Sequence, residues 1–180
     1  MKGKNVYNLS LFEAKYVAGN KCVFISHRLA DIDVARAIAT YLLETVGVNI
    51  YFSEYDDDLQ QAVQAEDDAQ IVQYIENGLA TSSHLLGIIS NRTKGSWWVP
   101  FEIGGGRQRD MKIAQLLLEE VEELPSYLRI AKLLRDNDDL KKWIEREIKA
   151  VDDWERSNLK SSLPSIPRVP KYRSRYPRFV

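Results

Sequence analysis

The run Cys22-Val23-Phe24-Ile25 is apolar at every position and too short for a buried helix. Such a run is a strand with both faces covered, and strands of that kind belong to parallel sheets wrapped by helices. Comparable runs return at Val48 to Phe52, at Leu85-Leu86-Gly87-Ile88-Ile89 and at Lys112 to Leu118. Helical spacing fills the intervals between them. Val34, Ile38, Tyr41, Leu42 and Val46 share one face of a helix that Asp31 caps and Gly47 stops, and Ile71, Ile75 and Leu79 mark a second helix over Ala69 to Leu79, with the preceding acids well placed for its N-terminus. Tyr127 to Leu134 reads as either a short last strand or an irregular turn, and Leu140, Trp143, Ile144, Ile148, Val151 and Trp154 form the apolar face of a final helix. The alternation predicts an α/β domain, an open parallel sheet of four to five strands with helices on both faces. Ligands of such sheets bind beyond the carboxyl ends of the strands.

A chain of 180 residues is long enough for one domain with a proper core. The expected divisions are an N-terminal extension over 1–20, with a weak apolar pattern that fits one short helix, a main domain over 21–156, and a basic, proline-rich tail over 157–180. A net charge of -1 gives no reason to expect nucleic acid as a partner. The single cysteine, Cys22, excludes an internal disulfide and a cysteine-based zinc site, and the two histidines do not suffice for a histidine metal cluster. No metal site is expected. No apolar run is long enough to span a bilayer and Met1 to Asn20 lacks the apolar core of a signal peptide, so the expected location is the cytoplasm, with no membrane partner.

The candidate chemistry lies where strands end. Ser26-His27-Arg28 follows the first strand, the acidic stretch Glu54 to Glu66 follows the second, and Ser96-Trp97-Trp98-Val99-Pro100-Phe101-Glu102-Ile103-Gly104 follows the third. The acidic stretch reads as a mobile, solvated loop. Glu102 stands among Trp97, Trp98, Phe101 and Ile103, and two readings of it stay open. In one, it sits at the wall of an apolar pocket where desolvation raises its pKa. In the other, Trp98, Phe101 and Ile103 are the core-facing side of a helix that Pro100 opens and Glu102 supports in its first turn. Gly104-Gly105-Gly106 is expected to end or loosen that helix early, with a phosphate cradle as a weakly supported alternative.

Taken together, Val23-Phe24-Ile25-Ser26-His27, Gly47 before the second strand, the variable loop after it, Ile88-Ile89-Ser90, and the segment Ser96 to Gly104 resemble a TIR domain, the Toll/interleukin-1 receptor module, in its bacterial form. The resemblance covers about Lys21 to Leu134, with the final helix closing the domain, and implies a flavodoxin-like fold. Catalytic TIR domains cleave the nicotinamide–ribose bond of NAD, with an essential glutamate four residues after a tryptophan, a spacing that Trp98 and Glu102 match. The resemblance implies that Glu102 holds the ribose hydroxyls and stabilises an oxocarbenium-like transition state. It assigns Trp98 to the pocket wall, His27 and Arg28 to substrate contact, with Arg28 suited to the pyrophosphate, and Glu54 to Glu66 to the family's BB loop, which opens the site and assembles domains into a homo-oligomer.

One departure concerns the end of the second strand. Some NAD-cleaving relatives have an aspartate there, where this chain has Ser53 followed by Glu54, which makes these two the candidates for that substrate contact. The leading expectation is a NAD glycohydrolase or cyclase that takes NAD as substrate and needs no cofactor. A lone bacterial TIR enzyme of this size looks like the signal-producing subunit of a Thoeris-type antiphage system, whose ADP-ribose product a separate effector reads. The alternatives are a non-catalytic TIR adaptor, which often lacks the glutamate, and a nucleoside-modifying hydrolase or transferase with a similar sheet.

Overall fold

The computed structural model describes residues 21–121 and 124–148. The readings for Met1 to Asn20, for Val151 and Trp154, and for the tail over 157–180 lie outside the described residues. β1 (Cys22–Ser26) leads through a 3-10 turn into α1 (Ile32–Tyr41), whose last turn widens to π geometry over Leu42–Val46. Gly47 then reverses the chain at φ 73°, a left-handed conformation that a Cβ disfavours, into β2 (Asn49–Tyr51). After it come α2 (Asp57–Gln64), α3 (Asp68–Ala80), β3 (His84–Ile89), α4 (Trp98–Gln108) and β4 (Lys112–Leu117). The short α5 (Ser126–Arg129), β5 (Lys132–Leu134) and α6 (Asn137–Trp143), with a π turn over Ile144–Ile148, complete the described chain.

The sheet has five strands, all parallel, in the order β2-β1-β3-β4-β5. Strand alternation divides the core in two. Val23, Ile25, Leu86, Ile88, Ala114 and Leu116 point to one face, which α1 and α6 cover through Ile38, Leu42, Leu140 and Trp143. Phe24, Leu85, Ile89 and Leu117 point to the other, where Leu59 of α2, Ile75 and Leu79 of α3, and Val99 and Ile103 of α4 pack. Every residue of β1 and β3 is buried, as a double-covered strand requires. The direction of chain crossover changes between β1 and β3, and at such a switch point the loops diverge and leave a crevice at the carboxyl edge.

Three local expectations are corrected. The stretch expected as a mobile acidic loop forms a 3-10 turn over Ser53–Tyr55 and then α2. One of its acids is a helix cap. The Asp56 carboxylate accepts from the Leu59 amide at 3.1 Å and from the Tyr51 hydroxyl at 2.7 Å, while Asp67 accepts from the Gln70 amide at 3.1 Å at the start of α3. Asp31 does not cap α1 with its side chain, because that carboxylate is engaged elsewhere. The glycine triplet does not end α4, which runs on to Gln108. A Cβ on Gly105 would stand 2.8 Å from Leu79 Cδ1, and one on Gly106 3.0 Å from Leu85 Cδ1, so the helix uses glycine to approach α3 and β3 closely. Held inside a helix, these backbone N–H groups bond to the preceding turn and form no phosphate cradle.

Candidate functional site

Val99, Glu102, Ile103 and Gly106 are the buried residues of α4, spaced as one helical stripe against the sheet. A carboxyl group therefore occupies a core-facing position. Glu102 is 6% exposed, and its Oε2 accepts a hydrogen bond of 2.6 Å from the hydroxyl of Ser26, the last residue of β1. Burial drives the Glu102 pKa up from 4.5 to about 8, with the Ser26 hydrogen bond acting against that rise. The carboxyl sits at the switch point between β1 and β3, where burial favours its neutral form. An arriving cation would favour its ionised form.

The other predicted residues divide into those near this carboxyl and those turned away from it. His27, next to Ser26, stacks at a tilt on Phe52 with ring centres 5.0 Å apart, and Phe52 meets Tyr55 edge-on at 4.9 Å. Burial lowers the His27 pKa, while the Ile25 carbonyl and the charges of Glu54 and Asp31 pull it up. Arg28 turns toward the loop after β3, where its guanidinium donates to the carbonyl of Arg92 and lies against Gly95. Ser53 opens the 3-10 turn, its carbonyl taking a bond of 3.0 Å from the side-chain Nε2 of Gln60. Glu54 faces α1 and holds Arg36 through contacts of 2.5 and 3.2 Å.

The aromatic residues around Glu102 are arranged differently from either reading of the local sequence. Trp98 and Phe101 pack edge-to-face at 5.8 Å on the outer side of α4, at 40% and 39% exposure, and Trp97 is 91% exposed. They are not core-facing. They form a rim beside the helix start, while the immediate contact of Glu102 is the polar Ser26. A separate cleft of about 170 Å³ lies between the loop after β3 and the segment after β4, lined by Ile89, Ser96, Pro100, Leu124 and Tyr127, and Glu102 is not in its wall.

Asp31 ties the two loops that flank the switch point. Its side chain is fully enclosed, accepting 2.7 Å from the Ser90 hydroxyl and 2.5 Å from the Arg92 guanidinium. Ser90 in turn caps the 3-10 turn at Asn91–Gly95 that delivers the chain to α4. The loop carrying His27 and Arg28 is thus fixed to the loop that sets the position of the Glu102 helix.

A family model for the TIR domain matches residues 23–146. The chain belongs to the TIR domain family. No curated protein matches it. The five-stranded parallel sheet with helices on both faces is the flavodoxin-like α/β fold of a TIR domain, and among its described residues no helix is long and apolar enough to cross a membrane. Within this TIR domain, sequence reasoning missed two contributors: Ser26 as the direct partner of Glu102, and Phe52 as the platform of His27. Ser26 ends β1, and Phe52 directly follows β2. A serine ending an otherwise apolar double-covered strand was the available signal for the first; none announced the second.

Proposed function

We propose that this TIR domain is an NAD-cleaving enzyme that releases nicotinamide and makes an ADP-ribose-derived product, with Glu102 as its catalytic carboxyl. The observation that carries the reading is the enclosed Glu102–Ser26 pair at the switch point of a parallel sheet. A carboxyl has no packing reason to occupy the core stripe of a helix, and removing it from water costs free energy that one hydrogen bond from Ser26 only partly offsets, which a catalytic role accounts for. NAD carries its positive charge on the nicotinamide ring, and as the ring leaves, that charge passes to the ribose carbon and ring oxygen. Beside such a cation the carboxylate form is favoured, and an ion pair formed away from water stabilises the transition state more than the ground state. The C–N bonding pair leaves with nicotinamide, which becomes neutral. Water or a hydroxyl or ring nitrogen of the substrate then donates a pair to the ribosyl cation and gives up a proton.

In this reading His27 and Phe52 form the wall next to the reacting ribose, Trp98 lines the rim, and Arg28 reaches the pyrophosphate after releasing the Arg92 carbonyl. Ser53 and Glu54 belong to the segment that covers the site, and its outward movement, coupled to self-association, uncovers Glu102. The product is a signal for a separate effector, as in Thoeris-type antiphage defence, and no resident cofactor takes part. A second reading, a non-catalytic adaptor, is favoured by the exposed Trp97, Trp98 and Phe101 at the start of α4, which suit contact with another domain. Incubating the concentrated chain with NAD and following nicotinamide by chromatography separates the two. Release by the wild type and its loss in Glu102→Gln is the expected result. Equal rates in both, or no release by the wild type in lysates of phage-infected cells, would overturn the enzymatic reading in favour of the adaptor.

A further inference from the structure

Gln115, in the middle of β4, is fully buried, and neither its amide nitrogen nor its amide oxygen has a hydrogen-bond partner among the described residues. Buried amides are nearly always paired, so an unpaired one inside a sheet calls for a physical explanation. Its place in the register supplies one. Ser26 of β1 is aligned with Gly87 of β3, and Gly87 with Gln115 of β4, so the three form one row across the sheet. Alternation puts that row on the face that carries Phe24, Leu85 and Leu117, the face on which Glu102 lies over Ser26.

Gly87 is what opens the row. A Cβ built there would overlap the amide oxygen of Gln115, so the Gln115 side chain has folded across β3 into the space that a side chain at 87 would occupy. Its head group has thereby crossed one strand spacing toward Ser26, and a second spacing of about 4.8 Å separates β3 from β1. α4 packs over β1, β3 and β4 and encloses the row from above.

We infer that Gln115 is a positioning residue for Glu102, its amide reaching across Gly87 to donate a hydrogen bond, directly or through one enclosed water, to the ionised carboxylate that Ser26 holds from the other side. The unpaired amide is then the resting half of a contact completed on ionisation. A neutral carboxyl needs one donor fewer than a carboxylate, which explains why Gln115 waits without a partner. The kinetic consequence of this role rests on the enzymatic reading above; the contact itself does not.

The test reads Glu102 directly. Carboxyl-¹³C NMR titration of the full chain, assigned by loss of the signal in Glu102→Gln, gives the midpoint without any substrate. Gln115→Met preserves length and removes both polar atoms, while Gly87→Ala retains the amide and displaces it at the flexible end of its side chain. Both variants are expected to raise the Glu102 midpoint by about 0.5–1 pH unit, with no loss of thermal stability in Gln115→Met. The acid limb of kcat/KM for NAD cleavage should move by the same amount. A midpoint unmoved in Gln115→Met and in Gly87→Ala, while Ser26→Ala moves it, overturns the inference. Should Gln115→Met not fold, Gly87→Ala alone decides by the same criterion. If the midpoint moves in a chain that does not cleave NAD, the contact stands and the enzymatic reading falls.

Discussion

Replacing Glu102 by glutamine should stabilise this protein in a pH-dependent way, which runs against the usual effect of mutating a buried residue. Glutamine keeps the shape and an acceptor for Ser26 but carries no titrating proton. In the folded chain Glu102 titrates near 8, while its ordinary value of 4.5 applies when unfolded. Between these values the native state holds a proton that the unfolded state has released, so stability falls as pH rises through that window. Below it both states are protonated and the effect vanishes; above it both are ionised and the loss levels off. At about 1.4 kcal/mol per pH unit the limit is about 5 kcal/mol, and relaxation with water entry around the ionised group reduces it to about 2–4 kcal/mol. Urea unfolding of wild type and Glu102→Gln at about pH 4 and about pH 8.5 measures it. The variants should be nearly equal at the lower pH and Glu102→Gln more stable by that margin at the higher. A difference of the same size at both pH values would refute the reasoning, since a titrating group cannot act equally on both sides of its own transition.

Other outcomes follow from packing and from the loop anchor. A Cβ at Gly78 would stand 2.6 Å from the buried Tyr51 ring, whereas one at Gly104 meets nothing within 4 Å; Gly78→Ala should cost about 1–3 kcal/mol from overpacking, and Gly104→Ala should add about 0.5–1 kcal/mol from helix propensity, both read as shifts in the urea midpoint. Asp31→Ala removes the partner of both Ser90 and Arg92, and should cost about 2–3 kcal/mol in the same assay. If the enzymatic reading holds, Asp31→Ala should also raise the KM for NAD in a nicotinamide-release assay, because the loop carrying His27 and Arg28 loses its tie to the loop before α4.

The parallel sheet was legible in the sequence because double-covered strands carry an unbroken apolar signature, as at Cys22–Ile25 and Leu85–Ile89, and because Gly47 marks the end of a helix with a conformation that few other residues adopt. The acidic stretch misled for a related reason. Asp56 is a charge in composition but a cap in structure, and the apolar content of α2 comes down to Leu59 and Ala62, too little to register as a period. The glycine triplet likewise reads as a helix breaker until α3 and β3 are seen pressed against it. Glu102 stood out within its aromatic surroundings, yet those neighbours turned outward and its contact came from a residue 76 positions earlier.

What the sequence alone determined was the alternation of the buried strands with their principal helices and the edge on which chemistry-bearing residues gather, since these depend on local propensity and on a periodicity carried by each segment. The tertiary structure decided which side chains meet: Ser26 with Glu102, Asp31 with Ser90 and Arg92, and Gln115 lying over Gly87. Those pairings depend on strand order and on a register fixed by the collective packing of two cores, in which a shift of one residue would turn each of these groups to the opposite face.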